Sequence, residues 1–84
     1  MKESIINKIN VLLLELSDSG RLSQMRIGQI KNQSIEIAKE IDAQLGTGNI
    51  VEERIVSSYH QNYPKKMIRK NLNDMLSVVC SQMV

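Results

Sequence analysis

The sequence predicts an all-α fold: a small antiparallel bundle of three to four helices, formed by a single domain over residues 1–84. Three observations predict it. In every long stretch the apolar residues recur at three- and four-residue intervals, which is the spacing of one helix face. The chain has no Phe or Trp and only 2 Tyr, so aliphatic side chains must build the core. Short polar breaks separate the periodic stretches, and short connections favour antiparallel neighbours.

The first helix is predicted from Glu3 to Ser17, where the helix-breaking run 17–20 (SDSG) begins. Its main apolar stripe consists of Ile5, Ile9, Leu12 and Leu16, and is widened by Ile6 and Leu13. At about 100° per residue, Val11 and Leu14 point away from this stripe. The first helix is therefore predicted to have a second apolar face.

The second helix is predicted to begin after Ser23 as its N-cap and to end at Leu45, with Gly46 as the C-terminal cap. Its apolar residues keep one phase over the whole span, and Ser34 is the only polar residue in their stripe. We therefore predict one continuous helix in which the Ser34 hydroxyl bonds to a carbonyl one turn earlier. The stripe consists of Ile27, Ile30, Ile37, Ala38, Ile41 and Leu45.

The third helix is predicted to follow the turn at 46–48 (GTG) and to end near Gln61. Asn49 and Glu52 have the spacing of a capping box at its start. The apolar residues of this short helix are Val51, Ile55 and Tyr59.

The fourth helix is predicted to have Pro64 in its first turn, where the missing proline N–H costs nothing. Met67 and Val78 broaden its apolar stripe on one flank, and Cys80 broadens it on the other. The stripe itself consists of Ile68, Leu72, Met75, Leu76, Val79 and Met83.

The sequence contains no pattern that indicates catalysis, a cofactor or a metal. Its only histidine, His60, and its only cysteine, Cys80, fall on different predicted helices. We expect His60 to be exposed or at a helix end, and Cys80 to pack as a small apolar residue. Glu36 and Glu40 form a carboxylate pair one turn apart, but Lys39 beside them favours a solvated face. We therefore predict that the protein is not an enzyme.

The composition predicts a cytoplasmic protein without membrane association. A single cysteine is typical of a reducing compartment, and the sequence shows neither a leader pattern nor a long apolar run. The abundance of Ile, Asn, Lys and Ser suits a bacterial gene of low G+C content or a mobile genetic element.

Four cations lie in the first two turns of the fourth helix, where the helix dipole favours acidic residues instead. We predict that this basic cluster binds an acidic protein surface, with nucleic-acid phosphate as the second choice. The alternative is that the lysines are simply solvated and maintain solubility. The basic cluster consists of Lys65, Lys66, Arg69 and Lys70.

Self-association is predicted from the surplus of apolar surface. A chain of 84 residues buries only about 60–65% of its unfolded surface, so a partner chain is a common source of added stability. A symmetric homodimer is the most frequent solution. The residues predicted to form its interface are Val11, Leu14, Met67 and Val78.

These features predict a small non-enzymatic helical interaction protein: a regulator, inhibitor, adaptor or chaperone-like binder of another protein. The alternative is a DNA-binding regulator that uses either a helix-turn-helix-like segment at 22–45 or the basic start of the last helix. A third, weaker alternative is an enzyme subunit that contributes no catalytic residue. The helix-turn-helix interpretation lacks the usual glycine in its turn, and no motif indicates a known family.

Overall fold

Four helices form the part of the chain that the structure, a computed structural model, describes: residues 2–18, 22–60 and 64–83. They account for 88% of these residues, and no strand occurs among them. The prediction of an all-α fold is confirmed. The breaker residues Ser19 and Gly20 lie outside the described residues, as does Gln61, but the third helix ends at Ser58, three residues before the predicted end near Gln61. The helices are α1 (Lys2–Asp18), α2 (Gln24–Leu45), α3 (Ile50–Ser58) and α4 (Pro64–Gln82).

The core lies where the predicted apolar stripes meet. α4 packs against both α1 and α2, whereas α3 packs chiefly against α2. The radius of gyration is 12.3 Å, close to the ~12 Å expected of a compact chain of this length. The buried apolar residues are Ile5, Ile9, Leu12 and Leu16 of α1, Ile30, Ile37, Ala38 and Ile41 of α2, Ile55 of α3, Ile68, Leu72, Met75 and Val79 of α4, and Met83.

α2 is one continuous helix with the caps that the sequence predicts. The Arg26 N–H donates to the Ser23 hydroxyl at 3.0 Å, and Gly46 adopts a left-handed conformation with φ 70°. Ser34 donates to the Lys31 carbonyl at 2.6 Å, as predicted. The turn that a helix-turn-helix would need at 31–33 is helical. The helix-turn-helix interpretation of 22–45 is therefore wrong, because an unbroken apolar stripe keeps this segment packed as a single helix.

The start of α3 differs from the predicted capping box. Among the described residues, the Asn49 side chain makes no capping hydrogen bond, and it donates instead to the Glu53 carboxylate at 3.0 Å. The N–H groups of Val51 and Glu52 donate to the carboxylate of Asp42, at 3.0 and 2.9 Å. A charged carboxylate from the preceding helix thus takes the place that we assigned to Asn49.

The two candidate nucleophilic and basic side chains are both exposed. His60 lies just beyond α3, as predicted, and its backbone N–H donates to the Ser57 carbonyl at 3.3 Å. Cys80 is exposed, so the expectation that it packs as a small apolar residue is wrong. It follows the fully buried Val79, and the turn of about 100° per residue carries it to the solvent side.

Candidate interaction surfaces

The outer face of α1, defined by Val11 and Leu14, leaves large aliphatic side chains in solvent. Each of the two is 61% exposed, whereas Ile9 and Leu16 on the opposite side of the same helix are buried. The second apolar face predicted for the first helix is therefore present. Most helices of small proteins keep polar residues on this side.

A groove runs beside this face between α1 and α2, with a volume of about 850 Å³. Its floor contains the buried side chains of Leu12 and Ile37, and the exposed Val11 stands at its edge. The α1–α2 groove thus combines apolar contact area with an open side. Its lining residues are Glu3, Ser4, Asn7, Lys8, Val11, Leu12, Gln33, Glu36, Ile37 and Glu40.

The α1–α2 groove is acidic. Its lining contains three carboxylates and one ammonium, a net charge of −2, whereas the whole chain carries +2. Lys8 pairs with one oxygen of Glu40 at 2.7 Å, and Lys39, outside the lining, pairs with Glu36 at 3.0 Å. The second oxygen of Glu40 is buried and accepts no hydrogen bond from the described residues.

Leu14 belongs to a different depression on the other flank of α1. Asn10, Leu13 and Ser17 line it together with Leu14. Leu13 is half-buried and packs against the core. The outer face of α1 therefore has two sides, one toward the α1–α2 groove and one toward this shallower depression.

The other two residues predicted for self-association, Met67 and Val78, lie on α4 and are each half-buried. Val78 packs against the core. They offer less free apolar area than Val11 and Leu14, so α1 carries the larger exposed surface.

The basic cluster divides into two pairs. Arg69 donates to the Leu16 carbonyl at 3.1 Å, in the last turn of α1, where a cation is favoured by the helix dipole. Lys70 pairs with Asp74 one turn later, at 3.1 Å. Lys66 is exposed and Lys65 half-buried, and the ion pairs among the described residues involve neither. Two of the four cations therefore have partners within the fold.

Asp42 makes more hydrogen bonds than any other polar residue in the described ranges, and the sequence did not reveal this role. Its carbonyl accepts from the N–H groups of Gly46 and Thr47, which ends α2, and its carboxylate accepts from the start of α3. Burial alone would raise the pKa of Asp42, but hydrogen bonds from the Thr47 hydroxyl and from the Glu52 and Val51 N–H groups hold it below its usual value. An acid in the last turn of a helix, beside the apolar stripe, is the signal that could have identified it.

Two further polar contacts join α2, α3 and α4. The hydroxyls of Ser34 and Tyr59 lie 2.5 Å apart, and burial raises the pKa of Tyr59. The buried Asn71 amide donates to the Ser58 hydroxyl at 2.7 Å. Because these groups satisfy one another, they position α3 and offer no open binding site.

The described residues contain no group of three or more His, Cys, Asp or Glu side chains placed to hold a metal ion. None of the helices in the described ranges is both long and apolar enough to cross a membrane. Comparison with protein-family models, with curated proteins and with solved structures finds no match. The surfaces of α1, α2 and α4 are therefore the features that indicate function.

Proposed function

We propose that this chain is a small non-enzymatic helical interaction protein, a regulator, inhibitor, adaptor or chaperone-like binder of another protein. The observation that carries the proposal is the exposure of Val11 and Leu14 on the outer face of α1. Single exposed aliphatic residues are normal on protein surfaces. Two on one helix face, one of them at the edge of a groove with apolar residues in its floor, favour an interaction site on this helix.

Self-association through the same helix is the second part of the proposal. Leu14, with the depression formed by Asn10, Leu13 and Ser17, offers a surface that a two-fold partner can match with its own copy. Met67 and Val78 would extend the interface onto α4. A dimer would also supply the buried apolar area that a chain of 84 residues lacks.

We further infer that neighbouring helices are antiparallel. The ion pairs between α1 and α2 support this inference. Glu15, near the end of α1, pairs with Arg26 at the start of α2. Lys8, in the first half of α1, pairs with Glu40 near the end of α2. We also propose a cytoplasmic location, which the presence of one cysteine in the sequence supports.

The test is capture of partners from native lysate by the tagged full chain, with and without nuclease. We expect a protein to be retained after nuclease treatment and to be lost with the double variant Val11→Glu/Leu14→Glu. Met25→Glu/Ile50→Glu is the matched control, because it makes the same change in net charge at two apolar residues outside α1 that are 75% and 59% exposed. Equal capture by the double variant and the control would contradict the proposal.

The basic cluster supports a second binding activity, toward an acidic protein surface or, as the alternative, nucleic-acid phosphate. Lys65 and Lys66 lie in the first turn of α4, where backbone N–H groups also attract anions. The nuclease arm of the capture experiment separates the two alternatives. Material that is released by nuclease and depends on Lys65 and Lys66 would favour nucleic acid.

A further inference from the structure

We propose that the α1–α2 groove binds an amphipathic helix of a partner protein, one that presents aliphatic side chains flanked by Lys or Arg. This inference rests on the proposed function and names the partner chemistry for one side of α1. It differs from the activity of the basic cluster, which would select partners of the opposite charge.

The apolar part of the α1–α2 groove suits an aliphatic side chain. Leu12 and Ile37 lie buried in its floor, 5% and 4% exposed, and Val11 stands exposed at the edge. Two helices side by side create the concave surface into which a third helix lays its apolar face. An inserted leucine would cover the exposed part of Val11 and remove both from water.

The charges around the α1–α2 groove select a basic helix. The lining has a net charge of −2, which Lys39, paired with Glu36 from outside the lining, reduces to −1, and the side chains of Glu3 and Glu36 are exposed and within reach of a partner. Glu40 already accepts from Lys8 through one oxygen, and its other oxygen is buried, so this carboxylate is less accessible to a partner than Glu3 and Glu36. Arg or Lys at the flanks of the bound helix would donate to the exposed carboxylates of Glu3 and Glu36.

A second copy of this chain is a poorer occupant. Two-fold packing across the α1–α2 groove would bring Glu3, Glu36 and Glu40 of both copies to one interface, and like charges across an interface oppose binding. The flank of α1 that carries Leu14 lacks these acids, so self-association there and helix binding in the groove use different sides of α1.

The probe is a synthetic amphipathic peptide with leucines on one face and lysines on both flanks. Its counterpart has the same leucines with glutamate in place of lysine. We expect the basic peptide to shift the amide resonances of Val11, Leu12 and Ile37 in the full chain. The acidic peptide should bind at least about tenfold more weakly at low salt.

The variant that tests the charges is Glu3→Gln/Glu36→Gln, which leaves the Lys8–Glu40 pair intact. We expect it to weaken binding of the basic peptide about fivefold to tenfold. The control, Glu53→Gln/Asp74→Asn, is matched in three respects. It makes the same change in net charge, it removes an acid from the first turn of a helix, and it breaks one exposed pair with lysine. We expect it to change binding less than twofold.

Three results would overturn the inference: equal binding of both peptides, equal weakening by the test and control variants, or resonance shifts confined to α4. Circular dichroism of each variant shows whether the fold is retained. If peptide binding fails while capture still depends on Val11 and Leu14, only the assignment of the α1–α2 groove is wrong. If both experiments fail, the proposed function is wrong as well.

Discussion

Two regions of the molecule differ in whether their side chains have partners within the chain. One is the connection between α2 and α3, and the other is the outer face of α1. At the connection, the buried Asp42 accepts from Thr47, Val51 and Glu52, so polar groups meet partners within the chain. On α1, Val11 and Leu14 are mostly exposed and the neighbouring groove is open. At the α2–α3 connection the polar groups bind one another, whereas the outer face of α1 leaves apolar side chains exposed to solvent.

The difference separates residues that fold the chain from residues available to a partner. A carboxylate that caps a helix makes its hydrogen bonds only in the folded state, so its loss should lower the free energy of unfolding. An exposed leucine contributes little to the fold, since its removal from water requires another molecule. Variants in the two regions should therefore affect different measurements.

The largest effect is expected for Asp42→Ala. The variant leaves the N–H groups of Val51 and Glu52 and the Thr47 hydroxyl without their acceptor, which should lower the free energy of unfolding by about 3 kcal/mol. Urea denaturation at a fixed protein concentration measures this loss, and hydrogen exchange should show faster opening of α3. The exposed Glu53→Ala serves as control, with a change of less than about 0.5 kcal/mol. Equal losses in the two variants would contradict the role of Asp42.

The second prediction concerns pH. Because the folded-state pKa of Asp42 lies below its ordinary value of 3.8, its charge stabilises the fold above that pH, and this contribution is lost as the pH falls through the folded pKa. Glu15, whose pKa is lowered by its hydrogen bonds with Arg26, acts in the same direction. The stability gap between the wild type and Asp42→Asn should therefore narrow below about pH 3.8. A gap that stays constant to lower pH would show that the carboxylate charge is not the cause.

Variants of the basic cluster should change the free energy of unfolding less than Asp42→Ala does. They compare a cation that has a partner within the fold with two that form no ion pair among the described residues. Arg69→Gln removes the charged donor to the Leu16 carbonyl and should lower the free energy of unfolding by about 1 kcal/mol. Lys65→Gln/Lys66→Gln should change it by less than about 0.5 kcal/mol, but should weaken binding to an anionic partner and reduce its salt dependence. Denaturation and salt titrations of binding measure the two properties. If the lysine variant binds as tightly as the wild type at every salt concentration, these lysines are only solvated.

The helices and most of the core could be predicted from the sequence because they depend on local periodicity. The stripe from Ile27 to Leu45 predicted a continuous α2, and the buried positions of α1 and α4 follow the same rule. The outer face of α1 followed from the helical angle of Val11 and Leu14 alone. These features need no knowledge of how the helices pack.

The features that the sequence did not reveal depend on packing between helices. Asp42 caps a helix that begins eight residues later, and Arg69 reaches a carbonyl on α1, so neither partner lies within one helical turn. The α1–α2 groove likewise exists only because two distant segments lie side by side. The prediction that Cys80 packs is wrong because its residue type favours burial, whereas its helical position places it in solvent.

The central claim is that the outer face of α1 serves association and contributes little to the fold. Sedimentation equilibrium at high micromolar concentration, with the wild type and Leu14→Glu side by side, tests it most directly. The account predicts a wild-type mass near twice 9.5 kDa, and a variant that shifts toward 9.5 kDa with unchanged helical circular dichroism. A wild type that stays at 9.5 kDa over the whole concentration range, or a variant that loses its helical structure, would contradict the claim.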